Sequence, residues 1–328
     1  MLVEFNLSAG LFVEESNFQP LDPDTVYDVL IIGGGPAGLT AAVYCLRKGL
    51  VTGLITGNVG GQMTETAGIE NYLGYRYING NELIDKFRDQ VMQFGIAFET
   101  EVKVRLLEKS DLHLVHMEDG RTFRGKTVII ASGKQSKKLN VPGERELTGH
   151  GVAYCAICDA PFYADKTVVV VGGGNSGLAA AIDLAKIATH VTIVQRRDRL
   201  TGDQILIDKL AEYGNVNYLL AHEVAKIKGE KHVESVIAVS RQTGTETELP
   251  ADGIFVEIGL IPNSLFARGL VATNAYDEII VDCFCRTDVA GVFAAGDVTS
   301  VPYKQIIIAC GEGAKAALSA ADYIMNTK

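Results

Sequence analysis

Residues 27–49, YDVLIIGGGPAGLTAAVYCLRKG, and residues 166–188, KTVVVVGGGNSGLAAAIDLAKIA, follow one plan. Each opens with a β-branched apolar run, passes through Gly-x-Gly-x-x-Gly, and continues with apolar residues at helical spacing. That order describes a strand, a tight turn and a helix that together cradle a pyrophosphate. The glycines are Gly33, Gly35 and Gly38 in the first copy and Gly172, Gly174 and Gly177 in the second. One makes the turn, one lets the backbone reach the phosphates, and one lets the helix pack close to its strand. The helix start then offers unpaired N–H groups to the phosphate. A single copy is a weak signal, because glycine-rich turns are common. Two copies, each in strand–turn–helix context, predict an α/β chain with two dinucleotide sites. The usual pair is a flavin and a nicotinamide, because one passes hydride to the other.

In such folds an acid about 20 residues beyond the first glycine holds a ribose 2′-hydroxyl. The second copy, HVTIVQRRDRL, has Gln195 there, followed by Arg196 and Arg197. Two guanidiniums suit a 2′-phosphate, which favours NADP(H) over NAD(H); the competing reading is a solvated basic turn. The first copy ends its second strand at Thr56–Gly57, again without an acid. Further on, GVFAAGDV closes a strand with Gly296 and Asp297. A carboxylate there can accept from a sugar or ribityl hydroxyl, although a tight turn with a capping Asp explains it better when taken alone. The helix expected from about Gln305 can aim its N-terminus at a flavin ring.

The bulk properties agree. A chain of 328 residues suits two domains better than one core. Its 47% hydrophobic and 21% charged residues match a water-soluble globular protein. A net charge of −10 argues against a nucleic-acid or anionic-membrane surface. The first twenty residues lack the basic region of a signal peptide, and EESNFQPLDPD reads as a polar lead-in. No apolar run approaches the ~18 residues that span a bilayer. A cytoplasmic location is expected.

Six cysteines in a cytosolic chain of this size are not a disulfide framework. Cys45 and Cys310 fall on predicted helices and read as small buried hydrophobes. Cys155 and Cys158, in YCAICDAP, leave more options: a metal pair, a staple, buried thiols or a redox disulfide. Zinc needs four ligands, and Cys283 with Cys285, in VDCFCRTD, could complete them. Cys-x-Cys is a poor spacing for that purpose, and no metal is expected. The second pair is read instead as part of a strand, with Cys283 and Cys285 on one face and Phe284 on the other.

Five segments, GGGPAGLTAAVY, GGQMTETAGIENYLGY, CAICDAPFY, GGGNSGLAAA and GVFAAGDV, occur in the order and near the spacing of low-molecular-weight thioredoxin reductases. From about Tyr27 onward the chain resembles that family, and its last third is similar to the reductase core of the alkyl hydroperoxide reductase flavoprotein subunit. That subunit carries thioredoxin-like modules ahead of the core. Only 26 residues precede the first strand here, so a stand-alone reductase acting on a separate thiol protein is expected. The resemblance implies two Rossmann-like, three-layer β/β/α domains, the nicotinamide domain (134–262) inserted into an FAD domain (1–133 and 263–328). The joints would be ASGKQSKKLNVPGE and IGLIPNS, which read as linkers. It further implies a homodimer. Nicotinamide and disulfide would then belong to one domain and both must reach a flavin in the other; if they share one face of it, the joints would serve as a hinge that alternates them.

The resemblance assigns FAD contacts to Gly33, Gly35, Pro36, Ala37 and Gly38 of the first motif, and to Gly61, Gln62 and Asn71 of the second segment. Gly296, Asp297, Lys304, Gln305 and Ile306 join them near the end of the chain. Nicotinamide contacts fall on Gly174, Asn175, Ser176, Gly177, Arg196 and Arg197. Cys158 would face the flavin, Cys155 would attack the partner's disulfide, and Asp159 would move the protons. Electrons would pass from NADPH to FAD, to Cys155–Cys158, and to thioredoxin or a thioredoxin-like protein. Three positions depart from the family: Thr201 replaces a third arginine, Ala179 a glutamate and Lys304 an arginine. The first two bear on the donor. The alternatives are the same dithiol chemistry with NADH or ferredoxin, or a glutaredoxin-like or peroxidase partner. The non-enzyme alternative is a zinc-stabilised nucleotide-binding module.

Overall fold

The computed structural model describes residues 19–65 and 68–327; the polar lead-in up to residue 18 lies outside the described residues. The first glycine motif folds as β1 (Val26–Gly34), α1 (Pro36–Arg47) and β2 (Thr52–Val59). A hairpin of β3 (Gly68–Ile69) and β4 (Ile78–Asn79) leads into α2 (Gly80–Met92), whose first turn is capped by the Asn79 side chain. β5 (Ala97–Glu99), β6 (Val104–Lys109), β7 (His113–Met117) and β8 (Thr122–Ile130) complete this part. The sheet order is β5-β2-β1-β8-β7-β6, with β1 parallel to both β2 and β8. Strands in the middle of such a sheet are covered on both faces, which is why β1 reads as a continuous apolar run rather than an alternation.

The chain leaves through β9 (Lys134–Ser136) and builds a second sheet. Its elements are β10 (Val152–Ala153), α3 (Ala156–Asp159), β11 (Thr167–Val171), α4 (Asn175–Ala185), β12 (His190–Gln195), α5 (Gln204–Leu210) and β13 (Val216–Leu220). An antiparallel trio follows: β14 (His222–Lys228), β15 (Ser235–Ser240) and β16 (Glu246–Pro250). Then β17 (Gly253–Val256) enters the parallel order β10-β17-β11-β12-β13. The chain returns through β18 (Leu260–Pro262), adds β19 (Val292–Ala294) beside β8, and ends in α6 (Ile306–Asn326).

Both parts are layered. On the first sheet, α1 and α6 cover one face, packing Ala41, Ala42, Ala316 and Ala317 against Val29, Ile31 and Ile129. Helix α6 comes so near that a Cβ on Gly313 would lie 2.1 Å from the Ala37 carbonyl oxygen. On the second sheet, α4 covers one face and the antiparallel trio the other, with Val224, Ile227 and Val236 against Val169 and Ile254. The second sheet thus has the β/β/α layering expected, while on the first β7 and β6 continue the sheet itself.

Two expectations need amendment. The two joints are not bare linkers: β9 and β18 pair antiparallel, Lys134 opposite Pro262, and form a two-stranded ribbon. VDCFCRTD is not a strand. The Asp282 carboxylate accepts from the backbone N–H groups of Phe284 and Arg286, and Cys285 takes φ 62°. The short side chain of aspartate thus folds the segment into a turn. Cys285 is buried and Cys283 exposed, so the two thiols part instead of sharing a face. Cys45 and Cys310 lie on α1 and α6, buried as read.

Candidate active site

The first glycine loop is shaped by backbone crowding. Gly33 has φ +118°, and a Cβ there would sit 2.2 Å from the Ala131 carbonyl oxygen. A Cβ on Gly38 would lie 1.8 Å from the Gly33 carbonyl oxygen. Around Gly35 nothing lies within 4 Å of the added atom, and no side chain caps the start of α1. The loop therefore presents open space and free N–H donors at one point, as a pyrophosphate requires. Pro36 occupies the first turn, where its missing N–H costs nothing.

A cavity of about 840 Å³ extends from this loop. Its wall includes Gly33, Gly35, Pro36, Ala37, Gly61, Gln62, Asn71, Gly296, Asp297, Lys304, Gln305 and Ile306, so the positions expected to contact FAD converge there, with Gly38 packed beneath. The Gln62 amide donates to Asp297 (3.2 Å) and the Asn71 amide to Gln305 (3.1 Å), joining the segment after β2 to the start of α6. Burial raises the pKa of Asp297, while the Lys304 and Lys134 ammoniums pull against it. Lys304 donates to the carbonyls of Thr299 (2.7 Å) and Val301. Glu312, buried within the alanine-rich α6, accepts from the Gly296 N–H (2.7 Å) and braces the Gly-Asp turn. Open glycine backbone, a buried carboxylate and an uncapped helix start fit a dinucleotide.

The same cavity is lined by Tyr154, Cys155, Cys158 and Asp159. Cys155 and Cys158 form a disulfide with a Cα–Cα distance of 5.3 Å, within the ordinary range for such a bond. Asp159 is only 7% exposed. Burial pushes its pKa up to about 7, so near neutral pH it can both give and take a proton. The phenol of Tyr163 is pushed up to about 12 by burial and then by Asp159. Tyr154 donates to Glu144 (3.0 Å), whose carboxylate also accepts from the Leu139 and Asn140 N–H groups. That buried carboxylate holds the approach to the disulfide in place.

The second glycine loop repeats the first. Gly172 has φ +122°, with its added Cβ 2.3 Å from the Glu257 carbonyl oxygen, and Gly177 packs on Gly172 (2.1 Å). Gly174 precedes α4, whose start is uncapped by any side chain. Gly174, Asn175, Ser176, Gly177, Arg196 and Arg197 lie outside the cavity wall, on their own sheet. Arg196 and Arg197 are exposed just past β12. Thr201 donates to the Gly173 carbonyl through its N–H (2.7 Å) and hydroxyl (3.2 Å), tying the following turn to the loop. The Asn175 side chain is taken up by Asp203, accepting from its N–H (2.7 Å) and donating to its carboxylate (3.0 Å).

Two acids and a lysine escape the motif reading. Glu257 accepts from the Ala156 N–H, between the two cysteines, and from Ser176; burial raises its pKa against those bonds. Lys134 lines the cavity and pairs with Glu278. None belongs to a glycine or cysteine motif, and only tertiary packing brings them in.

Known proteins resemble this chain along nearly its whole length. A family model described as "Pyridine nucleotide-disulphide oxidoreductase" matches residues 27–313. The F component of alkyl hydroperoxide reductase from Staphylococcus aureus is 44% identical over 97% of this chain, which spans only 62% of that relative. The structure of thioredoxin reductase from Streptococcus pyogenes is 39% identical, covers 92% of this chain and 98% of its own, and superposes with a TM-score of 0.87. Thioredoxin reductase of Lactococcus lactis in its FR conformation, 38% identical with 91% and 99% covered, reaches 0.63.

Proposed function

The chain belongs to the pyridine nucleotide-disulphide oxidoreductase family, and on that premise we propose that it is an NADPH-dependent thioredoxin-disulfide reductase. The observation that carries the reading is the cavity wall shared by the Cys155–Cys158 disulfide, Asp159 and the glycine loop of the first motif. When bound, FAD supplies a two-electron link between a nicotinamide and a disulfide.

The residues have separate duties. The loop at Gly33, Gly35 and Gly38, with Pro36 and Ala37, holds the pyrophosphate. Gly61, Gln62, Asn71, Gly296, Asp297, Lys304, Gln305 and Ile306 hold the rest of FAD. Gly174, Asn175, Ser176, Gly177, Arg196 and Arg197 hold NADPH, the arginines taking the 2′-phosphate. Two electrons break the Sγ–Sγ bond; Asp159 gives its one proton to the Cys158 sulfur, and Cys155 is left as the thiolate. The Cys155 thiolate then attacks the partner's disulfide, forming a mixed disulfide and expelling one partner thiolate. Cys158 attacks the mixed disulfide, restores the Cys155–Cys158 bond and releases the second partner thiol. Over the cycle the Cys155–Cys158 bond is broken and restored, and the two electrons, with two protons, end in the partner as two thiols in place of its disulfide.

We take residues 1–133 with 263–328 as the FAD domain and 134–262 as the nicotinamide domain, in a cytoplasmic homodimer. No described helix is long and apolar enough to cross a membrane. The two reductases compared above are nearly equal in identity and coverage yet differ widely in superposition. That supports a rotation between the domains. The occupied Asn175 and the Thr201 turn favour one second reading, in which the donor is NADH. The name of the Staphylococcus relative favours a peroxide-reducing partner as the alternative to thioredoxin. Anaerobic titration with NADPH and with NADH decides the donor. Cys155→Ser should leave flavin bleaching by that donor intact and abolish reduction of thioredoxin; normal turnover in this variant would sink the assignment.

A further inference from the structure

Lys134 has no place in the motif reading, yet it is buried at the wall of the flavin cavity, 9% exposed. Its backbone is held on several sides. β9 pairs with β18, Ser132 and Asn263 exchange side-chain to backbone hydrogen bonds (2.7 and 2.9 Å), and the Asn263 N–H donates to Gly133 (2.9 Å). The ammonium forms an ion pair with Glu278, which also accepts from the Asn274 amide (2.5 Å). Lys134 and Lys304 stand on the cavity wall, and Glu278 is not among its lining residues. The Lys134 charge acts on Asp297 of the same wall, so it is felt inside the cavity. In a partly enclosed site such a charge is screened less than at an exposed surface.

Resting on the flavin assignment above, we propose that Lys134 sets the reduction potential of the flavin held in this cavity, with Glu278 tempering it. Reduction by two electrons and one proton leaves a flavin with one net negative charge more than the oxidised form. A nearby ammonium stabilises that product over the neutral oxidised ring; the carboxylate paired with it offsets part of the gain. Burial works to raise the Glu278 pKa, but the Lys134 and Asn274 bonds outweigh it and hold the group ionised.

The test is dye-equilibrated redox titration of FAD-loaded wild type, Lys134→Met, Lys134→Arg and Glu278→Gln. Lys134→Met should shift the flavin equilibrium about tenfold toward the oxidised form, some 30 mV for a two-electron couple. Glu278→Gln should shift it the other way, and Lys134→Arg should stay within about twofold of wild type. Loosened packing would not give shifts of opposite sign. A Lys134→Met flavin within about twofold of wild type, or both neutral variants moving in one direction, overturns the proposal. If Lys134→Met fails to fold, Glu278→Gln decides, and an unchanged potential there overturns it. A wild-type chain that takes up no FAD removes the flavin assignment itself; loaded protein with unmoved potentials removes this inference alone.

Discussion

Asp159 holds its proton into the neutral range because burial decides its charge. Unfolded, the same carboxyl titrates near pH 4. Between about pH 4 and 7 the folded chain therefore binds more protons than the unfolded one, and stability falls as pH rises through that window. A rise from 3.8 to about 7 is worth about 4 kcal/mol at most. Asp159→Asn cannot ionise. It should exceed wild type in urea resistance at pH 8 by ~2–4 kcal/mol and match it at pH 4. Equal stability at both pH values would show that the carboxyl ionises freely. The same variant should lose ~10²-fold or more in thiol–disulfide exchange, measured by single-turnover reduction of thioredoxin, if Asp159 moves the proton. The sequence shows an acid next to the second cysteine and no more. Its altered acidity arises from burial in the folded chain, which no local pattern displays. Glu257 is hidden for the same reason: it lies far along the chain from the cysteines, just past the end of β17, and meets Ala156 only in the fold.

At the scale of elements, the glycine motifs are the most legible part of the chain, because Gly33, Gly38, Gly172 and Gly177 answer contacts that no other residue permits. Gly38 and Gly35 make opposite predictions. A methyl on Gly38 collides with backbone at 1.8 Å, so Gly38→Ala should destabilise the protein by ~2–4 kcal/mol and strip it of flavin. Gly35 has φ −79° and open space around it. Gly35→Ala should keep its stability within ~1 kcal/mol of wild type yet bind FAD at least about tenfold more weakly, since the new methyl takes the phosphate's room. Urea midpoints and flavin fluorescence on titration separate the two effects. A Gly35→Ala protein with unchanged FAD affinity would mean that the pyrophosphate does not approach this loop. The less legible elements are those set by one side chain or by distant pairing. The Asp282 turn looks like a strand because Val281, Phe284 and the cysteines have strand-like character. The β9–β18 ribbon joins residues far apart in the chain, and each half alone carries only linker residues.

For the molecule as a whole, motif order reveals two nucleotide folds but leaves their mutual orientation unread. One contact that joins the two parts is aromatic. Phe162 of the second part meets Tyr77 edge-on, with ring centroids 6.3 Å apart, and packs on Gly68, where a Cβ would lie 2.7 Å from the ring. In this arrangement the Cys155–Cys158 disulfide lines the flavin cavity, while the second glycine loop and Arg196–Arg197 lie outside it. The geometry suits passage of electrons to the disulfide and leaves the nicotinamide loop away from the cavity. The proposed cycle needs both, which predicts that the second part turns on the β9–β18 ribbon and breaks the Phe162 contact. Cysteines introduced at Tyr77 and Phe162 and joined by a short bismaleimide should hold the arrangement shut. The locked protein is expected to keep its bound flavin and its folded spectrum. Steady-state reduction of thioredoxin by NADPH should fall at least about a hundredfold, a barrier increase of ~3 kcal/mol. The same double variant without the linker should turn over close to wild type, which separates restraint from damage. Full turnover in the linked protein would show that nicotinamide reaches the flavin without rotation, and the second glycine loop would then need another route to the cavity.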